Sequence, residues 1–260
     1  MSEFVLAKLE IEETAVSIAA DREYISFAVD AMKSARLEIE RMIRKDDFFL
    51  ITLEPYDPPT GCPKVIERMC EASRTVGVGP MATVAGAIAQ VAVEAMAAQG
   101  CEHAWVDNGG DIAMVLRDAV SVEVLSQPGT QTTLALEMLP TNGAVVGVCT
   151  SSGRLGHSIS FGDADASVAI AEDAILADAL ATAIGNHVID SSSLKKCFED
   201  LKGVKGFIAG LALRDGEAAM FGKVPRMSEA EHNPERVTSH SKMTSPKYLG
   251  TDGHRTEVET

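Results

Sequence analysis

The sequence predicts an α+β protein in which antiparallel sheet packs against helices. Three observations carry this. The elements follow neither the strict strand–helix alternation of a parallel sheet nor an all-strand order. Asn108-Gly109-Gly110-Asp111 and Asp215-Gly216 each lie between apolar runs, the strongest local signal for a tight antiparallel turn. Two long helices each sit among strands, which hints at a duplicated unit, although no repeat shows in the residues themselves.

Taken in order, residues 4–10 and 14–19 read as an opening hairpin turned at Glu12-Glu13. Residues 24–45 form the clearest helix. Ile25, Ala28, Val29, Met32, Ala35, Ile39, Met42 and Ile43 keep the i, i+3, i+4, i+7 spacing of one buried stripe. Lys33, Arg36, Glu40, Arg41 and Arg44 form its solvated face. Residues 48–53 read as a short apolar strand, before a stiff loop with Pro55, Pro58, Pro59, Gly61 and Pro63. Residues 64–75 are predicted helical.

Gly77-Val78-Gly79-Pro80 leads into a long apolar helix over residues 81–99. Proline at a helix start loses no hydrogen bond. A glycine-led start exposes free amides that suit a phosphate, although most such turns only join elements. Strands over 103–107 and 112–117 flank the Asn-Gly turn, whose glycines would also let a ligand approach the backbone. Residues 120–125, 131–139 and 145–149 continue the antiparallel run. A donor-rich loop follows: Thr150-Ser151-Ser152-Gly153-Arg154, with His157 and Ser158 beyond it. Residues 162–166 read as a turn into the helix 171–184. Residues 194–201 are predicted helical, and 207–213 with 218–221 close a final hairpin.

Residues 1–222 read as one domain. From Lys223 the chain carries Pro225, Pro234, Pro246, His232, His240 and His254 without apolar periodicity, and is expected to be a mobile or loosely docked tail. Its histidines lack the spacing of a compact metal site.

The helix 171–184 is almost wholly alanine, leucine and isoleucine, so most of its surface should be buried. It nevertheless holds Asp178 and Thr182, four positions apart and therefore on one face. A carboxylate in such surroundings is costly unless a donor, a cation or a metal meets it. One reading is a capping or ion-paired aspartate beside a threonine bonded to its own backbone. The other is an oxygen set for a hard divalent cation.

The 260 residues suffice for one large domain or two small ones. A hydrophobic content of 46% with 23% charged residues describes a chain with a sizeable core. The net charge of −15 opposes nucleic acid or an anionic membrane as partner, because its long-range field repels both. No run approaches the roughly 20 unbroken apolar residues of a membrane span, and residues 1–10 lack a signal-peptide pattern. The five cysteines (Cys62, Cys70, Cys101, Cys149, Cys197) are scattered without a Cys-x-x-Cys pair, so neither a zinc site nor a disulfide framework is expected. A reducing cytoplasm fits this usage.

Four stretches resemble, in order, motifs of the ApbE family of magnesium-dependent FAD:protein FMN transferases. Gly79-Pro80-Met81-Ala82-Thr83-Val84-Ala85 is similar to its glycine-rich lead-in to a helix, and Asn108-Gly109-Gly110-Asp111 to its Gly-Gly-Asp turn. Thr150-Ser151-Ser152-Gly153 resembles its Thr-Ser-Gly loop, with His157 near the family's downstream histidine. Ala177-Asp178-Ala179-Leu180-Ala181-Thr182-Ala183 resembles its metal-binding helix. The body up to about Gly222 more closely resembles uncharacterised protein family 0280, a shorter branch of the same superfamily.

The resemblance implies duplicated T-fold-like half-domains. It also implies a Mg²⁺ site from Asp178, Thr182 and the main-chain carbonyl of Ala82. FAD or another flavin would contact Gly79, Gly109, Gly110, Asp111, Thr150 and Ser151, with Asp178 and His157 in catalytic roles. The sequence departs from the transferases in holding Thr83 where they carry lysine, in the extra serine of its loop, and in lacking their longer N-terminal portion.

Two functions compete. The first is a magnesium-dependent enzyme on a nucleotide pyrophosphate, either an FMN transferase acting on an acceptor protein or an FAD pyrophosphatase. The second is a non-flavin accessory protein in sulfur incorporation during homocysteine biosynthesis, using the same cleft for a small anion and drawing on Cys62 or Cys149. A weaker third is a homo-oligomeric assembly module, because T-fold-like sheets pair between subunits.

Overall fold

A computed structural model describes residues 3–11, 14–126, 132–151, 162–231, 247–250 and 255–256. The chain opens with β1 (Phe4–Ile11) and β2 (Thr14–Asp21), paired antiparallel from Phe4↔Asp21 to Ile11↔Thr14. Helices α1 (Ile25–Lys45), α2 (Phe48–Ile51), α3 (Lys64–Val76) and α4 (Val84–Ala98) lead to the hairpin of β3 (Ala104–Asn108) and β4 (Asp111–Val115). Strands β5 (Val120–Ser126) and β6 (Thr132–Met138) come next. The second half then repeats the plan with β7 (Val146–Ser151), β8 (Ala166–Ala171), α5 (Ala174–His187), α6 (Ser191–Leu194), β9 (Phe207–Arg214) and β10 (Glu217–Gly222). Beyond it lie β11 (Met227–Glu231), β12 (Lys247–Gly250) and β13 (Arg255–Thr256).

The main sheet runs β10-β9-β8-β7-β4-β3-β2-β1-β12-β13, and β11-β6-β5 form a second sheet. Each half is therefore strand–strand–helices–strand–strand, and the halves join where β4 pairs antiparallel with β7. This is the expected α+β fold, with antiparallel sheet against helices. Pieces of the segment after residue 222 pair as strands, β11 on β6 and β12 on β1.

Side-chain size along the central strands decides what covers each face. Ala113, Cys149, Ala169 and Ala171 turn toward the helices, whereas Ile112, Met114, Val148, Val168 and Ile170 turn toward the second sheet. Small residues on one face let α4 and α5 lie close on the strands. At Gly147 a Cβ would sit 2.3 Å from the Cα of Ala174, so α5 rests directly on backbone there. Ile175, Leu180 and Ile184 of α5 are fully buried, each worth about 1.5–3 kcal/mol.

Several local expectations change. Residues 48–53 are not a strand: the Asp46 carboxylate accepts from the Phe48 amide (3.0 Å) and Thr52 N donates to the Phe48 carbonyl (3.0 Å), closing one helical turn with no partner strand. Residues 166–171, of which the sequence reading placed only 166 in a turn and 171 in the helix, form β8 between β7 and β9. The helix after it starts at Ala174, because Asp173 caps it by accepting from Ile175 N (2.7 Å) and Leu176 N (3.3 Å). Residues 194–201 are the end of α6 and a separate 3₁₀ turn, Glu199–Leu201. Pro80–Ala98 is, by length and composition, apolar enough to cross a membrane, which the sequence reading did not recognise. In the fold this stretch includes α4, a core helix packed against α1, α3, α5, β3 and β4.

Candidate functional site

The site lies on the helix side of the main sheet, between the start of α4 and the middle of α5. The Pro80–Thr83 turn precedes α4 and packs against α5. Ala82 N donates to the Gly79 carbonyl (3.1 Å), and the buried Thr83 hydroxyl donates to the Pro80 carbonyl (2.7 Å). Thr83 therefore serves its own turn and brings no charge to the site. Helix α4 opens at Val84, so the Ala82 carbonyl sits ahead of its hydrogen-bond ladder.

Asp178 and Thr182 are both buried, each 8% exposed, on one face of α5. The Gly86 amide donates to Asp178 Oδ2 at 2.8 Å. In a helix begun one turn earlier that amide would bond the Ala82 carbonyl; here Asp178 takes it from another helix. Gly86 has to be glycine, because a Cβ would lie 2.3 Å from the Ala174 carbonyl oxygen. Burial pushes the Asp178 carboxyl well above the usual range, and the Gly86 amide pulls it back only in part. Among the described residues no arginine or lysine pairs with it. The nearby Arg68 is committed elsewhere, bidentate to Glu94 (2.8 Å to each oxygen) and 2.5 Å from Asp173.

The sheet supplies the opposite wall. Asp111 and Cys149 are cross-strand partners and share a face. The Cys149 thiol donates to the Ala174 carbonyl (3.4 Å), so that face looks at α5. Asp111 Oδ1 is buried and has no hydrogen-bond partner among the described residues. Burial first, and the Asp178 charge second, push the Asp111 carboxyl up. Ser151 is the next residue of β7 on this face; its Oγ is likewise buried without a partner among the described residues. The Ser167 hydroxyl lies 2.9 Å from both the Ser151 and the Ala181 carbonyls, which places Ser151 beside the Thr182 level of α5.

The structure thus brings Ala82, Asp111, Ser151, Asp178 and Thr182 around one region. Among the described residues, two orphaned oxygens, a buried carboxylate without a cation and a helix-start carbonyl are a hard-oxygen set that fits Mg²⁺. Among the described residues no group of three His, Cys, Asp or Glu side chains could hold a metal, so any ion must rely on hydroxyl and main-chain oxygens too. Thr150 borders the Gly-Gly turn, its amide donating to the Gly110 carbonyl (3.2 Å). Gly109 and Gly110 both have positive φ, 71° and 103°, which the turn itself requires. Gly79 has its own reason to be glycine, since a Cβ would lie 2.1 Å from the Thr52 carbonyl oxygen. His157 lies outside the described residues.

Sequence reading missed three supports. Asn108 donates through Nδ2 to the Ala85 carbonyl (3.1 Å), tying the hairpin to α4. Gln90 accepts from the Ala174 amide (2.9 Å) and donates to Glu94 (2.8 Å). Gly86 was read only as part of an apolar helix. A glutamine and a glycine inside such a helix were the available signals. Cys149 is a poor nucleophile: burial, then the Asp111 and Asp178 charges, push its thiol well up. That weighs against sulfur chemistry at this residue.

The profile of the family described as "AbpE bacteria" matches residues 4–197. The chain is 42% identical to a UPF0280 protein of Methanocella arvoryzae, over 89% of this chain and 94% of that one. It is also 42% identical to a UPF0280 protein of Methanosarcina barkeri, over 88% and 91% respectively. Among solved structures, the apo flavinyl transferase ApbE of Pseudomonas stutzeri superposes with TM-score 0.54 at 11% identity, over 85% of this chain and 95% of that one. The ApbE protein of Thermotoga maritima gives TM-score 0.54 at 12% identity, over 84% and 96%. At those identities the superpositions bear on the fold alone. The chain belongs to the ApbE-like superfamily and, within it, to the UPF0280 branch.

Proposed function

We propose that the protein binds FAD, or a related nucleotide pyrophosphate, through a Mg²⁺ ion held by Asp178, Thr182 and the Ala82 carbonyl, and acts on the pyrophosphate. The reading is carried by one observation: Asp178 is buried, meets the Gly86 amide and has no cationic side chain beside it among the described residues. The names of the structural neighbours, flavin transferases, support a flavin as the nucleotide. When bound, the ion would neutralise charge developing on the bridging phosphate. The chain's own groups do the positioning. The Gly-Gly turn keeps Gly109 open to close approach, and Thr150 and Ser151 offer hydroxyls. His157 is assigned the role of acid or base. FMN transfer to an acceptor protein's hydroxyl and hydrolysis by water share this arrangement and differ only in the attacking oxygen.

Titrating FAD into the purified protein with and without Mg²⁺, followed by flavin fluorescence, tests the reading. Binding should require Mg²⁺, and Asp178→Ala should abolish it while circular dichroism stays unchanged. Magnesium-dependent binding that persists in Asp178→Ala overturns the assignment. Incubation with FAD and Mg²⁺ then separates the two reactions, release of FMN and AMP marking hydrolysis.

A further inference from the structure

We propose that Asp111 is a second carboxylate ligand of the cation, reaching it from the sheet while Asp178 and Thr182 reach it from α5. The inference rests on the ion site proposed above and moves Asp111 from contacting the nucleotide to coordinating the ion.

Three features of the fold lead there. First, Asp111 faces α5: it is the cross-strand partner of Cys149, whose thiol meets the Ala174 carbonyl one helical turn before Asp178. Second, its Oδ1 is buried and lacks a hydrogen-bond partner among the described residues. Such an atom costs about 1–3 kcal/mol or more unless something meets it. Third, the two carboxylates interact electrostatically across the gap. The Cys149 thiol and the Gly86 amide that meet this face are neutral. Arg68 cannot compensate, because it is held by Glu94 and Asp173. Asp178 is buried and so is Asp111 Oδ1; two like charges so placed demand either a cation or a shared proton. The oxygen-only chemistry of Asp111, Asp178, Thr182 and the Ala82 carbonyl suits a hard divalent ion.

Mn²⁺ is the probe, its free concentration read by electron paramagnetic resonance on the full chain without nucleotide, alongside thermal melts with and without the ion. Wild type should bind Mn²⁺ and melt higher in its presence. Asp111→Asn should bind at least about tenfold more weakly, since even an outer-shell partner is worth roughly 10–100-fold. Its Mn²⁺-induced rise in Tm should shrink, while its metal-free Tm should equal or exceed that of wild type, because the amide removes a like charge at constant shape. Asp111→Ser carries the same affinity expectation should the amide fail to fold. Wild-type Mn²⁺ affinity in Asp111→Asn, with binding lost in Asp178→Ala, overturns the proposal and leaves the ion site standing. Unchanged binding in Asp178→Ala overturns both. A wild-type protein that binds no Mn²⁺ also overturns the proposal, the pair then being neutralised by a proton.

Discussion

At Gly86 the two central helices come within van der Waals contact of each other's backbone. A Cβ there would meet the Ala174 carbonyl oxygen at 2.3 Å and the Asp178 Cβ at 2.8 Å. Alanine gains about 1 kcal/mol over glycine in a helix interior. Overpacking against a fixed backbone costs typically about 1–3 kcal/mol, occasionally more, and should win. Gly86→Ala is therefore expected to lower the urea midpoint and to weaken Mg²⁺ binding by displacing Asp178. Gly203→Ala is the control, with nothing within 4 Å of its added carbon. The Asp178–Thr182 pair was legible because a polar pair four apart stands out in an apolar helix. Its partner was not, since the Gly86 amide lies 92 residues away in sequence and carries no side chain to mark it. Asp111 was legible as a turn residue and, through the resemblance, as a nucleotide contact, but not as a side chain facing α5, because which face of a strand looks at a helix is decided by pairing.

At the scale of elements, Arg68 fastens α3 to both α4 and the cap of α5. It is bidentate to Glu94, pairs with the capping residue Asp173, and Glu94 is further bonded to Gln90, which holds the first amide of α5. Arg68→Ala should lower stability by about 1–3 kcal/mol, the loss of hydrogen bonds to charged groups. The figure stays below that for a fully buried pair because the Glu94 and Asp173 side chains remain 40% and 31% exposed. Arg68→Lys should restore little, lacking the planar fork. Thermal melts check both. The long helices and both glycine hairpins were legible, as period and turn chemistry agree there: Asp215 and Gly216 adopt the positive φ, 48° and 81°, that a two-residue hairpin demands. Strand β8 was not, because five apolar residues and Ser167 between acidic neighbours carry no period of their own. Helix α2 was misread because its aromatic and β-branched residues favour a strand, and only the Asp46 cap turns them.

For the whole molecule, the Asp111–Asp178 acid pair sets a pH dependence. Burial raises Asp178 from 3.8 to about 7. Burial and the Asp178 charge raise Asp111 well above 3.8. Both folded values exceed the unfolded ones, so the native state holds protons that the unfolded chain releases. This contribution to stability is complete below about pH 4 and is lost as pH rises toward 7 and beyond. Metal-free protein should therefore melt at higher urea at pH 5 than at pH 8. The net charge of −15 acts in the same direction. Asp178→Asn separates the two, because it should flatten the part due to the pair, and saturating Mg²⁺ should flatten it in wild type. Urea melts across that range read the slope.

Asn108 grips the Ala85 carbonyl from the hairpin, and Asp178 grips the Gly86 amide from α5. These are neighbouring residues, so the first turn of α4 is clamped from both flanks by side chains of distant elements. A helix end left to itself frays, and a guest landing there would have to quench that motion. Here the immobilisation is completed when the chain folds. What is left for the moment of association is mainly the stripping of water from the guest.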